Sequence, residues 1–268
     1  MATTFEHLLT HTTEAGVRVV TLNRPDKLNA VNRQLAHEFP IALREAGEDE
    51  SVRCVLITGA GRGFCAGLEL DPSQIASLSK TATRGQKIDD LEWVGRWVLG
   101  MRDCPVPVIA AINGPAAGAG FAMSLAADVR VMSEMAVMTP GYARIGVSPD
   151  AGMTWLLPRI VGTARATELI LSARDIKSEE AVRIGLVAAA MPAGGFADAS
   201  LAYAAKLAQG PTIAYIHTKR LLKQAYDVDL TTQLKAELSL IRQCFATEDS
   251  HEAIRAFGEK RKPIFQGR

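Results

Sequence analysis

Residues 104–152 constrain the fold of this chain more than any other stretch, because they open with an uncharged run over 104–127. A run of that length raises the question of a membrane span. Three prolines, an asparagine and a Gly-Ala-Gly turn interrupt it, so no continuous lipid-facing helix fits. The pattern instead predicts a buried strand over 106–112, a loop of small residues over 113–119 and a buried helix over 120–127.

The small-residue loop is the first candidate for chemistry. Glycine and alanine let a ligand approach the backbone, and the start of a helix offers free N–H groups and a positive dipole end. A second glycine-rich loop follows a β-branched strand predicted over 52–58. Each loop can supply one backbone N–H, from Leu68 and from Ala119, and two convergent N–H groups stabilise a carbonyl oxygen as it becomes an enolate. The alternative interpretation is a tight turn that packs helix on strand.

Composition excludes several classes of protein. The 268 residues are 48% hydrophobic, which is enough for a large buried core, and the net charge of +1 gives no sign of a nucleic-acid partner. The four cysteines lie far apart, which argues against a zinc site and a disulfide framework and fits a reducing cytosol. The first residues show neither a basic region nor an apolar core, so no signal peptide is expected. A cytoplasmic protein without metal is therefore predicted.

The rest of the chain predicts a mixed α/β fold in two parts. A hairpin is expected over 5–22, and Asn32 and Ser178 are expected to cap helices. The polar segment 71–88 lies just after the second glycine-rich loop and would suit a lid. No strand pattern remains after about residue 197, and apolar residues then recur at helical spacing. We therefore divide the chain into a core over 1–196 and a helical part over 197–268.

Six segments carry a resemblance to a known family. Their order and spacing along nearly the whole chain resemble the enoyl-CoA hydratase/isomerase (crotonase) superfamily. The segments are LNRPDKLNAV (22–31), GRGFCAGLEL (61–70), PVIAAINGPAAGAG (107–120), AADVRV (126–131), RIGVSPDAGMTWLLPRIVG (144–162) and AFGEKRKPIFQGR (256–268).

The resemblance implies a ββα-spiral core with a C-terminal α-helical domain that trimerises. The implied partners are an acyl-CoA thioester and further copies of the chain, as a trimer or a dimer of trimers, with no cofactor beyond the coenzyme A of the substrate. Leu68 and Ala119 fall on the two positions whose N–H groups form the family's oxyanion hole, which agrees with the interpretation of the two loops.

The departures from the family pattern bear on the reaction. The family's hydratases use two glutamates on the water, and this chain has Ala122 and Tyr142 at those positions. Neither a methyl group nor a phenol replaces a carboxylate that must deprotonate water. Asp150 falls where the family's enoyl-CoA isomerases keep their single carboxylate, and PDAGMTWLLPR resembles the ring-epoxide isomerases of phenylacetate degradation. An isomerase with Asp150 as base is therefore expected, the alternative being an N-cap role for Asp150.

Further residues match positions that contact the substrate in the family. Arg24, Lys27 and Leu28 lie in the loop that meets coenzyme A, and the tail residues reach the coenzyme A of a neighbouring subunit. Tyr142 is expected to shape the acyl pocket. The implied substrate-binding residues are Arg24, Lys27, Leu28, Ala66, Gly67, Gly118, Tyr142, Phe257 and Lys260.

Four alternatives remain at this point. A hydratase, or a dehalogenase that uses Asp150 as nucleophile, belongs to the same superfamily, but the dehalogenase needs a histidine that is absent from 86–103. A short-chain dehydrogenase would use the turn over 113–120 for NAD, with Tyr215 and Lys219, yet that turn comes too late in the chain. A catalytically weak acyl-CoA binding protein is the fourth.

Overall fold

The computed structural model describes residues 3–70 and 89–268, so the predicted lid over 71–88 lies outside the described residues. Strands and helices alternate along the first two thirds of this part, and helices alone follow. The strands are β1 (Leu8–Thr12), β2 (Val17–Leu22), β3 (Cys54–Gly59), β4 (Val108–Ile112), β5 (Ala116–Ala117), β6 (Val129–Ser133), β7 (Val137–Thr139), β8 (Ile176–Lys177) and β9 (Ala189–Met191). The α-helices are α1 (Arg33–Glu48), α2 (Glu92–Asp103), α3 (Ala119–Ala126), α4 (Met153–Val161), α5 (Thr163–Ser172), α6 (Ser178–Arg183), α7 (Phe196–Ala208), α8 (Thr212–Gln224), α9 (Leu230–Phe245) and α10 (Glu248–Gly258).

Two sheets organise these elements. The larger has the strand order β1-β2-β3-β4-β6-β9, with β1 antiparallel to β2 and every other pair parallel. The smaller has the order β5-β7-β8. Because parallel strands end at one edge of a sheet, the loops after β3 and β4 lie side by side at the carboxyl edge of the larger sheet.

The larger sheet is buried on both faces, which explains why its strands are nearly continuous apolar runs. Along β3, Val55 and Ile57 point into the main core with α1 and α2, whereas Cys54 and Leu56 point into a second core. Helix α7 closes the second core through Phe196, Ala204 and Ala208. The sequence places α7 in the helical part that begins at 197, but it packs directly on the sheet.

Local sequence explains two of the helix ends. The Asn32 side chain accepts a hydrogen bond from the Leu35 N–H at 2.9 Å and caps α1, as predicted. The prediction for Ser178 is wrong: Lys177 occupies the N-cap position of α6, and the Ser178 hydroxyl donates to the Glu134 carbonyl at 2.9 Å. A backbone acceptor 44 residues away has captured the hydroxyl that the sequence assigns to a cap.

The last helices differ from the core in how their apolar side chains are used. No residue of α9 is buried, and its apolar face is open to solvent. That face consists of Leu230, Leu234, Leu238, Ile241 and Phe245, each at least half exposed. Among the residues described, no helix has the length and apolar character that crossing a membrane requires.

Candidate active site

The two glycine-rich loops after β3 and β4 are bonded to each other. The N–H groups of Phe64 and Cys65 donate to the Pro115 carbonyl at 3.1 and 3.2 Å, and the Ala117 N–H donates to the Cys65 carbonyl at 2.9 Å. At Gly67 the approach is so close that an added Cβ would lie 2.8 Å from the Ala117 oxygen and 3.4 Å from the Ala119 nitrogen. Only glycine allows this approach, which brings the backbone around Leu68 beside the start of α3.

Where the two loops meet, two backbone N–H groups have no hydrogen-bond acceptor among the described residues. The Glu69 N–H donates to Val31 and the Gly118 N–H donates to Thr139. The neighbouring N–H groups of Leu68 and Ala119 have no acceptor within residues 3–70 and 89–268. Ala119 is the first residue of α3, so its N–H is one of the unpaired donors that begin every helix. This arrangement suits an incoming oxygen, and the oxyanion role of both amides stays a prediction.

Two asparagines hold the loop after β3, and the sequence analysis missed both. Asn29 is fully buried, and its side-chain nitrogen donates to the carbonyls of Ala60 and Gly63 at 3.0 and 2.8 Å. Asn113 accepts from the Gly59 N–H at 3.0 Å and donates to the Gly61 carbonyl at 3.1 Å. For Asn113, a carboxamide directly after the apolar strand β4 is the sequence signal that could have found it, whereas Asn29 lies in a loop and offers no such signal.

Asp150 and Tyr142 form a pair beside the same loops. The Tyr142 hydroxyl donates to Asp150 Oδ1 at 2.6 Å, and Tyr142 is only 8% exposed whereas Asp150 is exposed. Burial first, and then the Asp150 carboxylate, raises the pKa of Tyr142 above its usual range. Asp150 does not act as the side-chain cap of α4, because the Met153 N–H bonds to its backbone carbonyl and Gly152 occupies the N-cap position.

The smaller sheet fixes the distance between this pair and the loops. Strand β5 pairs with β7, and the Gly118 N–H donates to the Thr139 carbonyl at 3.0 Å. An added Cβ on Gly141 would lie 3.4 Å from the Gly118 nitrogen, so Tyr142 follows directly after this contact. A Cβ added to Gly118 would meet no atom of the described residues within 4 Å.

The loop predicted to contact coenzyme A also bonds to the second glycine-rich loop of the same chain. The Arg24 guanidinium donates to Glu69 Oε2 at 2.8 Å, and Lys27 Nζ lies 3.5 Å from Glu69 Oε1. Leu28, which has a left-handed φ of 49°, accepts a hydrogen bond from the Ala66 N–H at 3.0 Å. The Arg24 side chain is only 12% exposed, and its salt bridge with Glu69 supports the second glycine-rich loop. The Lys27 side chain is 61% exposed and faces solvent.

We expect Glu69→Gln to remove the salt bridge with Arg24 and to lower the stability of the fold by an amount that depends on pH. Hydrogen bonding and attraction to Arg24 hold the pKa of Glu69 below its usual value. The contribution to stability is therefore present above the pKa of the unfolded carboxyl and is lost as pH falls through the lower folded pKa. Thermal melting should show a loss of about 1 kcal/mol at pH 7 that vanishes in acid. The exposed Glu50→Gln is the control. Equal melting curves for Glu69→Gln and the wild-type protein at pH 7 would contradict a stabilising role for the Arg24–Glu69 salt bridge.

The structure does not bring the tail residues together with these groups. Phe257 is 88% exposed and Lys260 is also exposed, near the end of α10. Helix α10 is fastened through Asp249, which accepts from the Gln266 and Gly267 N–H groups at 2.6 and 2.9 Å. The same tail reaches Arg53, whose guanidinium donates to the Phe265 carbonyl. Arg53 directly precedes β3, at the opposite edge of the sheet from the two loops.

Comparison with known proteins agrees with this fold. The sequence profile of the enoyl-CoA hydratase/isomerase family matches residues 12–268. A probable enoyl-CoA hydratase of Rhodobacter capsulatus is 38% identical, over 98% of this chain and 99% of its own. The 1,2-epoxyphenylacetyl-CoA isomerase of Escherichia coli is 34% identical over the same shares. The short-chain-enoyl-CoA hydratase of Clostridium acetobutylicum is 34% identical over 93% and 94%.

Solved structures give the same picture. A putative enoyl-CoA hydratase from Streptomyces coelicolor superposes with a TM-score of 0.92 at 38% identity, covering 100% of this chain and 98% of that chain. The enoyl-CoA hydratase of Bacillus anthracis gives 0.87 at 32% identity, covering 98% and 100%. The predicted crotonase fold is thereby confirmed. With a family profile that spans almost all of its residues, the chain belongs to the enoyl-CoA hydratase/isomerase family.

Proposed function

We propose that this chain is an acyl-CoA isomerase that moves a double bond into conjugation with the thioester, with Asp150 as its single base. One observation carries the proposal: a buried phenol donates to the Asp150 carboxylate at 2.6 Å, beside the loops whose Leu68 and Ala119 N–H groups have no acceptor among the described residues. The substrate would be a 3-enoyl-CoA or an aryl or ring-epoxide acyl-CoA, as the name of the Escherichia coli relative suggests.

The chemistry follows from the charges. The thioester oxygen accepts hydrogen bonds from the two amides, which makes the α-proton more acidic. Asp150 takes that proton, and the C–H electrons enter a dienolate spread from the oxygen to the γ-carbon. Return of the proton at the γ-carbon closes the new double bond and restores the carboxylate. The coenzyme A belongs to the substrate, so the proposal needs no separate cofactor.

A hydratase is the second candidate, because most of the similar proteins carry that name. Hydration in the family uses two glutamates, and in this chain Ala122 is a fully buried methyl group while Tyr142 is a phenol. Asp150 alone would have to hold and deprotonate water. The isomerase is therefore favoured by the side chains, and the hydratase by the names of relatives.

The test is to supply the purified protein with a 3-enoyl-CoA and, separately, with crotonyl-CoA, and to follow the absorbance of the conjugated thioester. Conjugation should appear with the first substrate and persist with the second. Loss of conjugation in crotonyl-CoA would show hydration and overturn the isomerase. No change with either substrate, followed by no change with a panel of aryl-acyl-CoA esters, would leave binding without turnover as the function.

The remaining proposals concern the setting of the reaction. We propose that the chain works in the cytoplasm as a trimer or a dimer of trimers, because the apolar face of α9 is uncovered in one chain. In such an assembly Phe257 and Lys260 would reach the coenzyme A bound by a neighbouring copy, since their own site lies at the other edge of the sheet. Lys27 and the backbone over 66–68 would meet the coenzyme A within one chain.

A further inference from the structure

The Tyr142–Asp150 hydrogen bond makes the two oxygens of the carboxylate chemically different. Oδ1 accepts the Tyr142 hydroxyl at 2.6 Å, within the range of short, charge-assisted O–H···O⁻ bonds. Oδ2 has no hydrogen-bond partner among the residues that the structure describes. The two oxygens of Asp150 are therefore not equivalent, although a free carboxylate would interchange them by rotation.

Tyr142 itself is held in place. It begins a short 3₁₀ turn, Tyr142–Ile145, in which its carbonyl accepts the Val147 N–H at 3.2 Å. Arg144 in this turn donates to Asp175 at 2.8 Å, and the Thr139 hydroxyl just before the turn donates to the same oxygen at 2.8 Å. The phenol ring is buried, so the hydroxyl has little freedom to leave Oδ1.

The phenol is a donor and not a second base. Burial and the neighbouring carboxylate raise the pKa of Tyr142 above its usual range, so the hydroxyl keeps its proton at neutral pH. The Tyr142 hydrogen bond draws electron density from Oδ1 and occupies one of its lone pairs, so a proton arriving at Asp150 binds Oδ1 less readily than Oδ2. Oδ2 is the oxygen that remains open to it.

We infer that Tyr142 is a positioning residue that reserves Oδ2 of Asp150 as the one atom carrying the proton from the α-carbon to the γ-carbon. This inference rests on the proposed isomerase function. The α-carbon gives its proton to Oδ2 and its C–H electrons to the dienolate. The dienolate then takes the same proton from Oδ2 at the γ-carbon, and the Tyr142 O–H stays intact throughout.

Two consequences follow for specificity. A protonated carboxyl whose rotation about the Cβ–Cγ bond is restrained keeps its proton on one oxygen, so a fraction of the protons returns to the substrate before exchange with water at the exposed Asp150. The phenol oxygen also occupies the side of the carboxylate where a second hydrogen-bonded water would otherwise sit. Tyr142 thereby favours isomerisation over addition of water.

The test uses a 3-enoyl-CoA carrying deuterium at the α-carbon, in ordinary water. We expect the wild-type protein to return part of the deuterium to the γ-carbon. Tyr142→Phe should lower kcat by about 10- to 100-fold, the worth of one hydrogen bond to a charged group, with little change in KM. It should also lower the fraction of deuterium retained in the product. Tyr203→Phe, a half-buried tyrosine on α7, is the matched control and should change neither quantity.

Label retention separates positioning from a structural role. If Tyr142 only supported the fold, Tyr142→Phe would reduce the amount of active protein and leave the retained fraction unchanged, and that result would overturn the inference. A wild-type protein that returns no deuterium would overturn it as well, even if Tyr142→Phe does not fold. Full isomerisation by Asp150→Asn would instead overturn the proposed function, so the two failures can be told apart.

Discussion

Asp150→Asn should isomerise a 3-enoyl-CoA about 10²- to 10⁴-fold more slowly than the wild-type protein, the usual contribution of one positioned base. The amide keeps the size of the carboxyl and can still accept the Tyr142 hydrogen bond, so the fold should be retained. It cannot accept the α-proton, which removes the step that starts the reaction. The two backbone amides would remain, and a small residual rate is expected from them.

The measurement is the initial rate of conjugation at saturating substrate, with thermal melting as a check on folding. Asp227→Asn provides the control, because Asp227 is exposed and its side chain has no hydrogen bond within the described residues. It should keep the wild-type rate. An Asp150→Asn variant that is folded and nearly as fast as wild type would mean that another group accepts the proton.

Gly67→Ala should reduce turnover by about 10²- to 10³-fold, the effect of losing one oxyanion donor. Gly67 has a φ of +92°, which L side chains rarely adopt, and its Cβ would lie 2.8 Å from the Ala117 oxygen. The neighbouring atoms, the Ala117 oxygen and the Ala119 nitrogen, belong to the backbone and cannot rotate away. The loop over 66–68 must therefore move away from the start of α3. The Leu68 N–H would then no longer point to the same place as the Ala119 N–H.

The control is Gly194→Ala, since an added Cβ at Gly194 meets no atom of the described part of the chain within 4 Å and its φ lies outside the left-handed range. The rate of the Gly194→Ala variant should equal that of wild type. Substrate binding by Gly67→Ala, measured by titration with a saturated acyl-CoA, should weaken much less than kcat falls. A Gly67→Ala variant that is folded and fully active would place the oxyanion donors elsewhere.

Sequence alone predicted much of the fold because its signals are local. The strand predicted over 106–112 and the helix predicted over 120–127 correspond to β4 and α3. The Asn32 cap of α1 was recognised because an N-cap needs only the three residues that follow it. Ser178 shows the limit of such reasoning. Its hydroxyl is satisfied by the Glu134 carbonyl, a partner that only the folded chain brings near.

The candidate site shows the same division between local and distant causes. The two glycine-rich loops could be recognised because each follows its own strand, but their mutual approach at Gly67 depends on the pairing of β3 with β4. Contact of Arg24 with coenzyme A stays a prediction, and its ion pair with Glu69, 45 residues away, could not be foreseen from the sequence. The Tyr142–Asp150 bond also could not be foreseen, since a tyrosine gives no sign in the sequence of where its hydroxyl points.

The bracing of the loop after β3 by Asn113 also bears on how the protein ages. Asn113 precedes Gly114, and an asparagine before glycine is the pair whose side chain most readily cyclises onto the next backbone nitrogen and loses ammonia. Here the carboxamide is held by hydrogen bonds to Gly59 and Gly61, and cyclisation would have to break them. Deamidation would begin in molecules whose loop has opened, and the new carboxylate would then face two carbonyl oxygens. The extent of deamidation at Asn113 would therefore measure how often the loop after β3 opens during storage.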